Sequence, residues 1–339
     1  MLSVADLARG MPPRLGLDAS GVPTAPCTLV DLDSALNCSP SEIGAAATVL
    51  GSALAVSIGV ATGAPPAEAD LLLEAATFSV APTSSDRRVV GGADVAEVVD
   101  AVRRTPLASV TLAGLLRQTA VLPVRAGLLA ESTAYSTLLA GPEFAAWLAG
   151  RGPSRRDPGD GPPVRVDRVG DAVRVVLDRP QRRNAVNAAV RDALVDALLI
   201  AVADESVTIE LSGAGPHFST GGDLDEFGTA KDPATAHVIR SEQSVGWAIE
   251  RCRERVRAVV HGRCMGAGVE IPAFAGTVVA APDTTFSLPE LSLGLVPGAG
   301  GTVSVTRRIG RWRTAWMALT GASVDAGTAL QWGLVDVVD

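Results

Sequence analysis

The sequence predicts an α/β fold in which mostly parallel strands are covered by helices. Two observations carry this. From Val164 onward, apolar runs of strand character alternate with longer stretches of helical period. Aromatic residues make up only 4% of the 339, while alanine, glycine and valine dominate, a mix that suits helices packed closely on sheets.

The elements follow in order. "VRVDRVGDAVRVVLDRP" reads as two strands around a Gly-Asp turn. "NAVNAAVRDALVDALLIAVAD" is helical: Val186, Val190, Leu194, Ala197 and Leu198 recur at helical spacing, with Arg191, Asp192 and Asp196 on the other side. "SVTIELSG" is a strand, "DPATAHVIRSEQSVGWAIERCRER" helical, "RAVVHG" a strand, "GVEIPAFAG" a short helix and "TVVAA" a strand. Strands separated by helices imply parallel βαβ units. Before them lies "GRGPSRRDPGDGPP", rich in Gly, Pro and charge and without apolar period, which reads as a linker at 151–163. It divides the chain into residues 1–150 and 164–339. In the first part "CTLVDLD" and "LAVSIGV" read as strands. "DVAEVVDAVRR", "LASVTLAGLLRQ" and "AESTAYSTLLAGPEFAAWLAG" read as helices. With no glycine cluster beside a carboxylate, this part reads as a packing domain.

The net charge of −8 argues against a nucleic-acid partner but not against a small anion held by local arginines. The four cysteines form no CxxC and the three histidines are scattered, so neither a metal site nor a disulfide framework is expected. The N-terminus lacks a basic start followed by an apolar block, and no apolar run reaches about 18 residues. The expectation is a cytoplasmic protein with no membrane partner.

Familiar signatures fail. "GAGPHF" has Phe218 where a dinucleotide loop needs its third glycine, and "GLVPGAGGT" has no phosphate-loop lysine. "HFSTG" has His217 where a nucleophile elbow needs glycine, so Ser219 reads as structural. Four segments remain: "RPQRRNAVN" from Arg179, "SGAGPHFSTGGDLDEF" from Ser212, "HGRCMGAGVEIP" from His261 and "FSLPELSLGLVPGAGGT" from Phe286. Glycines at strand ends let backbone N–H groups approach a ligand, and two such turns facing each other would make an oxyanion hole.

These four segments, in this order, make residues 164–339 resemble the core of the crotonase superfamily, the enoyl-CoA hydratase/isomerase family. The resemblance implies a crotonase-like core, a spiral of ββα repeats with surrounding helices. It implies oxyanion-hole donors at Gly222 and Ala267, where Ala267 in place of glycine keeps the N–H. It implies two acid/base glutamates, Glu270 and Glu290. Around them Arg183, Asn184, Ala185, Thr220, Gly221, Asp223, Leu224 and Gly266 correspond to substrate- or CoA-binding positions. Arg182 or Arg183 would meet a phosphate there. The reaction implied is hydration of the C2=C3 bond of an enoyl-CoA thioester, with no cofactor beyond the coenzyme A of the substrate. An isomerase, another enolate-forming enzyme (hydrolase, decarboxylase, oxygenase) and a non-catalytic scaffold are the alternatives. The family habit implies a homo-oligomer, a trimer or hexamer. Relatives continue into helices where "GLVDVVD" stands here. Thr105 to Gly150 resembles that tail, so residues 1–150 are expected to be a degenerate crotonase-like copy whose last helices cap the core.

Overall fold

The computed structural model describes residues 1–152 and 161–339; most of the expected linker therefore lies outside the described residues. The chain opens with β1 (Leu2–Ser3), α1 (Val4–Ala8), β2 (Cys27–Asp31), α2 (Pro40–Ser52), β3 (Val56–Val60), α3 (Asp70–Ala75), β4 (Phe78–Ala81) and β5 (Val89–Gly91). These strands form one parallel sheet in sequence order. Both faces of its middle are covered, so β3 and β4 are buried almost throughout, with the small Ser57, Gly59 and Ser79 standing between larger apolar residues. Helices α4 (Val95–Arg104), α5 (Pro106–Thr119), α6 (Val124–Leu139) and α7 (Pro142–Gly150) follow. The stretch read as one helix from Ala130 is two, because Gly141 and Pro142 end α6 and start α7.

The second half begins with the expected hairpin, β6 (Val164–Val169) and β7 (Ala172–Leu177), paired antiparallel. Then come α8 (Ala188–Ala203), β8 (Thr208–Gly213), α9 (Pro233–Glu242) and α10 (Val245–Arg251). The helical reading over α9 and α10 breaks at Gln243, because the Ser244 hydroxyl accepts the Trp247 N–H and caps a new helix. Next are β9 (Val256–Val260), β10 (Arg263–Met265), α11 (Ala267–Glu270), β11 (Thr277–Ala280) and β12 (Thr285–Ser287). Last come α12 (Gly301–Thr320, broken at Gly310), β13 (Val324–Asp325), α13 (Ala326–Trp332) and β14 (Val337–Val338).

The strands build a spiral. The larger sheet has the order β14-β11-β9-β8-β7-β6, and a smaller one has β10-β12-β13. Each turn lays a long strand in the first sheet and a short one in the second. Leu211 pairs with Ala258 and Ala258 with Val278 in the large sheet. Ser219 pairs with Cys264 and Cys264 with Phe286 in the small one. The fold is thus mixed α/β with parallel sheets.

One hydrophobic core joins the two halves: Ile58, Phe78, Leu112 and Leu116 belong to the same buried cluster as Val175, Ile209, Val303 and Ile309. α12 packs against α4, α5 and α6, and Thr119 Oγ1 donates to the Thr302 carbonyl at 2.8 Å. Among the described residues no helix is long and apolar enough to cross a membrane.

Candidate active site

The spiral explains how residues far apart in sequence meet. Ser219, Cys264 and Phe286 stand side by side in the small sheet. Gly222 and Ala267 each lie three residues beyond their strand partner, and Glu290 four beyond its own. Steps of three or four residues from a common ladder bring all three to one rim. There they line a pocket of about 220 Å³ together with Glu270.

The N–H groups of Gly222 and Ala267 have no hydrogen-bond partner among the described residues, although their neighbours do. Val186 N donates to the Gly221 carbonyl, Asp223 N to the Val186 carbonyl, and Glu270 N to the Gly266 carbonyl. Both residues line the pocket, where an amide without a protein partner is left for water or a ligand to take. Gly266, before Ala267, has φ +48, and a Cβ there would sit 2.3 Å from Glu290 Oε1. Ala267 itself begins α11, where a methyl group is tolerated; it is buried.

Three carboxylates are buried in the same pocket. Glu270 Oε2 accepts the N–H groups of Ala299 (2.7 Å) and Gly301 (2.8 Å). Glu131, on α6 and unmarked by the sequence reading, accepts the alternate ones. Its Oε1 takes Gly300 N at 2.7 Å, and its Oε2 takes Thr302 N at 2.9 Å and Thr302 Oγ1 at 2.7 Å. The four N–H groups that open α12 are thus shared between two carboxylates, one from each half of the chain. The positive end of the helix favours both. Glu290 Oε2, by contrast, has no hydrogen-bond partner. Burial pushes Glu270 up to about 7, against the two amides that favour its charge. Burial and then the charge of Glu270 push Glu131 up to about 8. Burial and then Glu270 hold Glu290 well above the usual carboxylate range.

A family model described as Enoyl-CoA hydratase/isomerase matches residues 170–339, half of the chain, with the pocket's glycine turns and both C-terminal glutamates inside the match. The chain belongs to the enoyl-CoA hydratase/isomerase family. It is 35% identical over 175 residues to the 2,3-dehydroadipyl-CoA hydratase of Escherichia coli K12, across 51% of this chain and 68% of that protein. It is 34% identical over 173 residues to the mevalonyl-coenzyme A hydratase of Beauveria bassiana, across 48% of this chain and 61% of that protein. Among solved structures, the enoyl-CoA hydratase of Thermoplasma volcanium aligns at 33% identity and a TM-score of 0.49, covering 53% of this chain and 72% of that one. The family model leaves residues 1–169, and so Glu131, unmatched.

The remaining family positions build the turn that carries Gly222 rather than the pocket wall. Among the described residues, Arg183, Asn184, Ala185, Thr220, Gly221, Asp223, Leu224 and Gly266 do not line the pocket. Asn184, at φ +53 and fully buried, accepts from Arg179 N and gives both amide hydrogens to the Ala214 and His217 carbonyls. No donor is left for a substrate. Asp223 is held by Arg179 Nη1 at 3.1 Å and Arg182 Nη2 at 2.9 Å, so Arg182 is an ion-pair partner in this turn. The Ala185 carbonyl takes Arg179 Nη1, the Arg183 carbonyl takes Thr220 N, and the Arg183 side chain is exposed. The Gly221 carbonyl takes Val186 N, and Leu224 is exposed with its carbonyl bonded to Arg151 Nη1.

The capping helices expected from Thr105–Gly150 supply a wall on α6, joined by α9, whose lining residues the sequence reading left unnamed. Leu128, Glu131, Ser132 and Ser136 are buried at helical spacing on α6. A glutamate in the middle of such a stripe is the signal that could have found this wall.

Proposed function

We propose that the protein hydrates the C2=C3 bond of an enoyl-CoA thioester. The observation that carries this reading is the pair of unpartnered N–H groups, Gly222 and Ala267, in one pocket with Glu270 and Glu290. The thioester oxygen accepts both N–H groups, and each such donor contributes about 3 kcal/mol as charge develops on that oxygen. Glu270, anchored by two amides and the easiest of the three carboxyls to ionise, takes a proton from the water that attacks C3. Glu290, which burial keeps protonated, gives its proton to C2. The product is the 3-hydroxyacyl thioester, and proton exchange with solvent resets the two glutamates. Glu131 is a positioning residue: it fixes Gly300 and Thr302, between and beside the amides that anchor Glu270.

Residues 1–150 enter this reading as the other half of the pocket rather than as an appendage. Leu128, Glu131, Ser132 and Tyr135 line it from α6. The test is hydration of crotonyl-CoA, followed as loss of thioester-conjugated absorbance. Turnover that both Glu270→Gln and Glu290→Gln abolish supports a hydratase. Double-bond migration that survives one of the two substitutions would replace this reading with an isomerase.

A further inference from the structure

The α6–α9 wall carries two arginines, Arg240 and Arg125, that form no salt bridge with a carboxylate of the pocket among the described residues, although Glu131 attracts Arg240 at longer range. Arg240 on α9 reaches across to α6, where Nη2 donates to Ser136 Oγ and, at 3.3 Å, to the Ser132 carbonyl. Its guanidinium lies 4.6 Å from the ring centroid of Tyr135. Its buried Nε meets no acceptor, and Nη1 has none among the described residues. Arg125, on the same wall, gives Nη1 to the Ser241 carbonyl at 2.7 Å and sits over Trp247. Neither arginine forms a salt bridge with a described residue.

The pocket holds four carboxylates, and each faces elsewhere. Glu131 and Glu270 are bound to the opening amides of α12, and Glu226 accepts the Ala188 N–H. Glu290 lies against Gly266. A guanidinium withdrawn from water with donors unmet destabilises the free protein unless a ligand completes it. Arginine's planar fork suits a carboxylate better than any neutral group. Leu128, Leu129, Val245 and Ile271 line the space beside the two arginines, an apolar passage fit for an acyl chain. A diphosphate, bulky and strongly hydrated, suits open surface cations instead.

We propose that the acyl group this pocket takes ends in a carboxylate, held by Arg240 with Arg125 nearby. The inference rests on the acyl-CoA reading of the pocket. It deepens that reading by naming the class of acyl chain.

The test is direct binding by calorimetry, which needs no turnover. Saturated acyl-CoAs of equal length, about four to eight carbons, are compared in pairs, one ending in methyl and the other in carboxylate. The intact wild-type chain should bind the carboxylate member of at least one pair about tenfold or more tighter. Arg240→Gln should erase that preference while leaving the methyl-ended member within about twofold, which also shows that the variant is folded; Arg125→Gln should reduce it. No carboxylate preference in the wild-type chain at any length overturns the proposal, whatever the variants do. Equal weakening of both members by Arg240→Gln also overturns it, because the arginine would then be reading the phosphates of coenzyme A. Failure of the folded wild-type chain to bind any acyl-CoA overturns the functional reading itself, a result distinct from binding without preference.

Discussion

Glu131→Gln separates two effects that oppose each other in the pocket. Three donors, Gly300 N, Thr302 N and Thr302 Oγ1, favour the ionised carboxylate. Burial and the neighbouring Glu270 oppose it, and the balance stands at a carboxyl pushed from 4.5 to about 8. A group bound more tightly to its proton when folded stabilises the fold fully below the unfolded value. That contribution is lost as pH rises through the folded value. At about 1.4 kcal/mol per unit, the ionised form of Glu131 costs the wild-type fold up to about 5 kcal/mol above pH 8.

Glutamine cannot ionise, but its amide nitrogen cannot accept as a carboxyl oxygen does, so part of the Gly300 and Thr302 donor set is left unmet at every pH. At pH 5 the variant should therefore be the less stable by about 1–3 kcal/mol. Between pH 5 and pH 9 it should gain on the wild type, by up to about 5 kcal/mol. Urea unfolding at the two pH values measures this directly, as a difference in midpoint at unchanged slope. Parallel stability curves would refute the reasoning. So would a variant that loses ground to the wild type between pH 5 and pH 9, for then the three donors outweigh burial.

Other expectations follow from the same geometry. Glu131→Ala strands three buried donors at about 1–3 kcal/mol each, so it should destabilise strongly at pH 5 and lower kcat more than it raises KM. With Glu270 as the base, kcat/KM should rise with pH through about 7; a limb near 4.5 would show that another group takes the proton. Glu270→Gln and Glu290→Gln should each lower kcat by roughly 100- to 10,000-fold in the crotonyl-CoA assay. Gly266→Ala should cut activity sharply, since its Cβ would lie 2.3 Å from Glu290 Oε1 at φ +48. Ala267→Gly, which leaves the N–H in place, should stay within about threefold, and steady-state kinetics on the pair compares them.

What the sequence made legible was local. Gly222, Ala267, Glu270 and Glu290 each sit in a short pattern of glycines and a carboxylate beside a strand end, and the spiral brings these patterns together. Glu131 has no such neighbourhood: its partners are 169 and 171 residues away on α12. The resemblance places Asn184 in the segment that runs past the coenzyme A moiety. That its side chain also holds a turn shows only in the positive φ and the carbonyls of Ala214 and His217. β10 and β12, at three residues each, are too short to show a period. α12 carries β-branched residues and a glycine break at Gly310, so its helical stripe is blurred.

The glycine-rich run "GLVPGAGGT" lacks the lysine of a phosphate loop, yet its backbone amides do bind anions, the two carboxylates of Glu131 and Glu270. That substitution has a chemical consequence. A helix N-terminus carries roughly half a positive charge, enough to ease one carboxylate into ionisation but not two. Glu270 and Glu131 therefore compete for it, and whichever ionises first holds the other protonated through their mutual repulsion. The N-terminal half of the chain, by placing Glu131 there, takes part in setting how many protons the pocket holds. Burial pushes Glu270 up to about 7 against its two amides, and the charge of Glu270 in turn helps to hold Glu131 up at about 8.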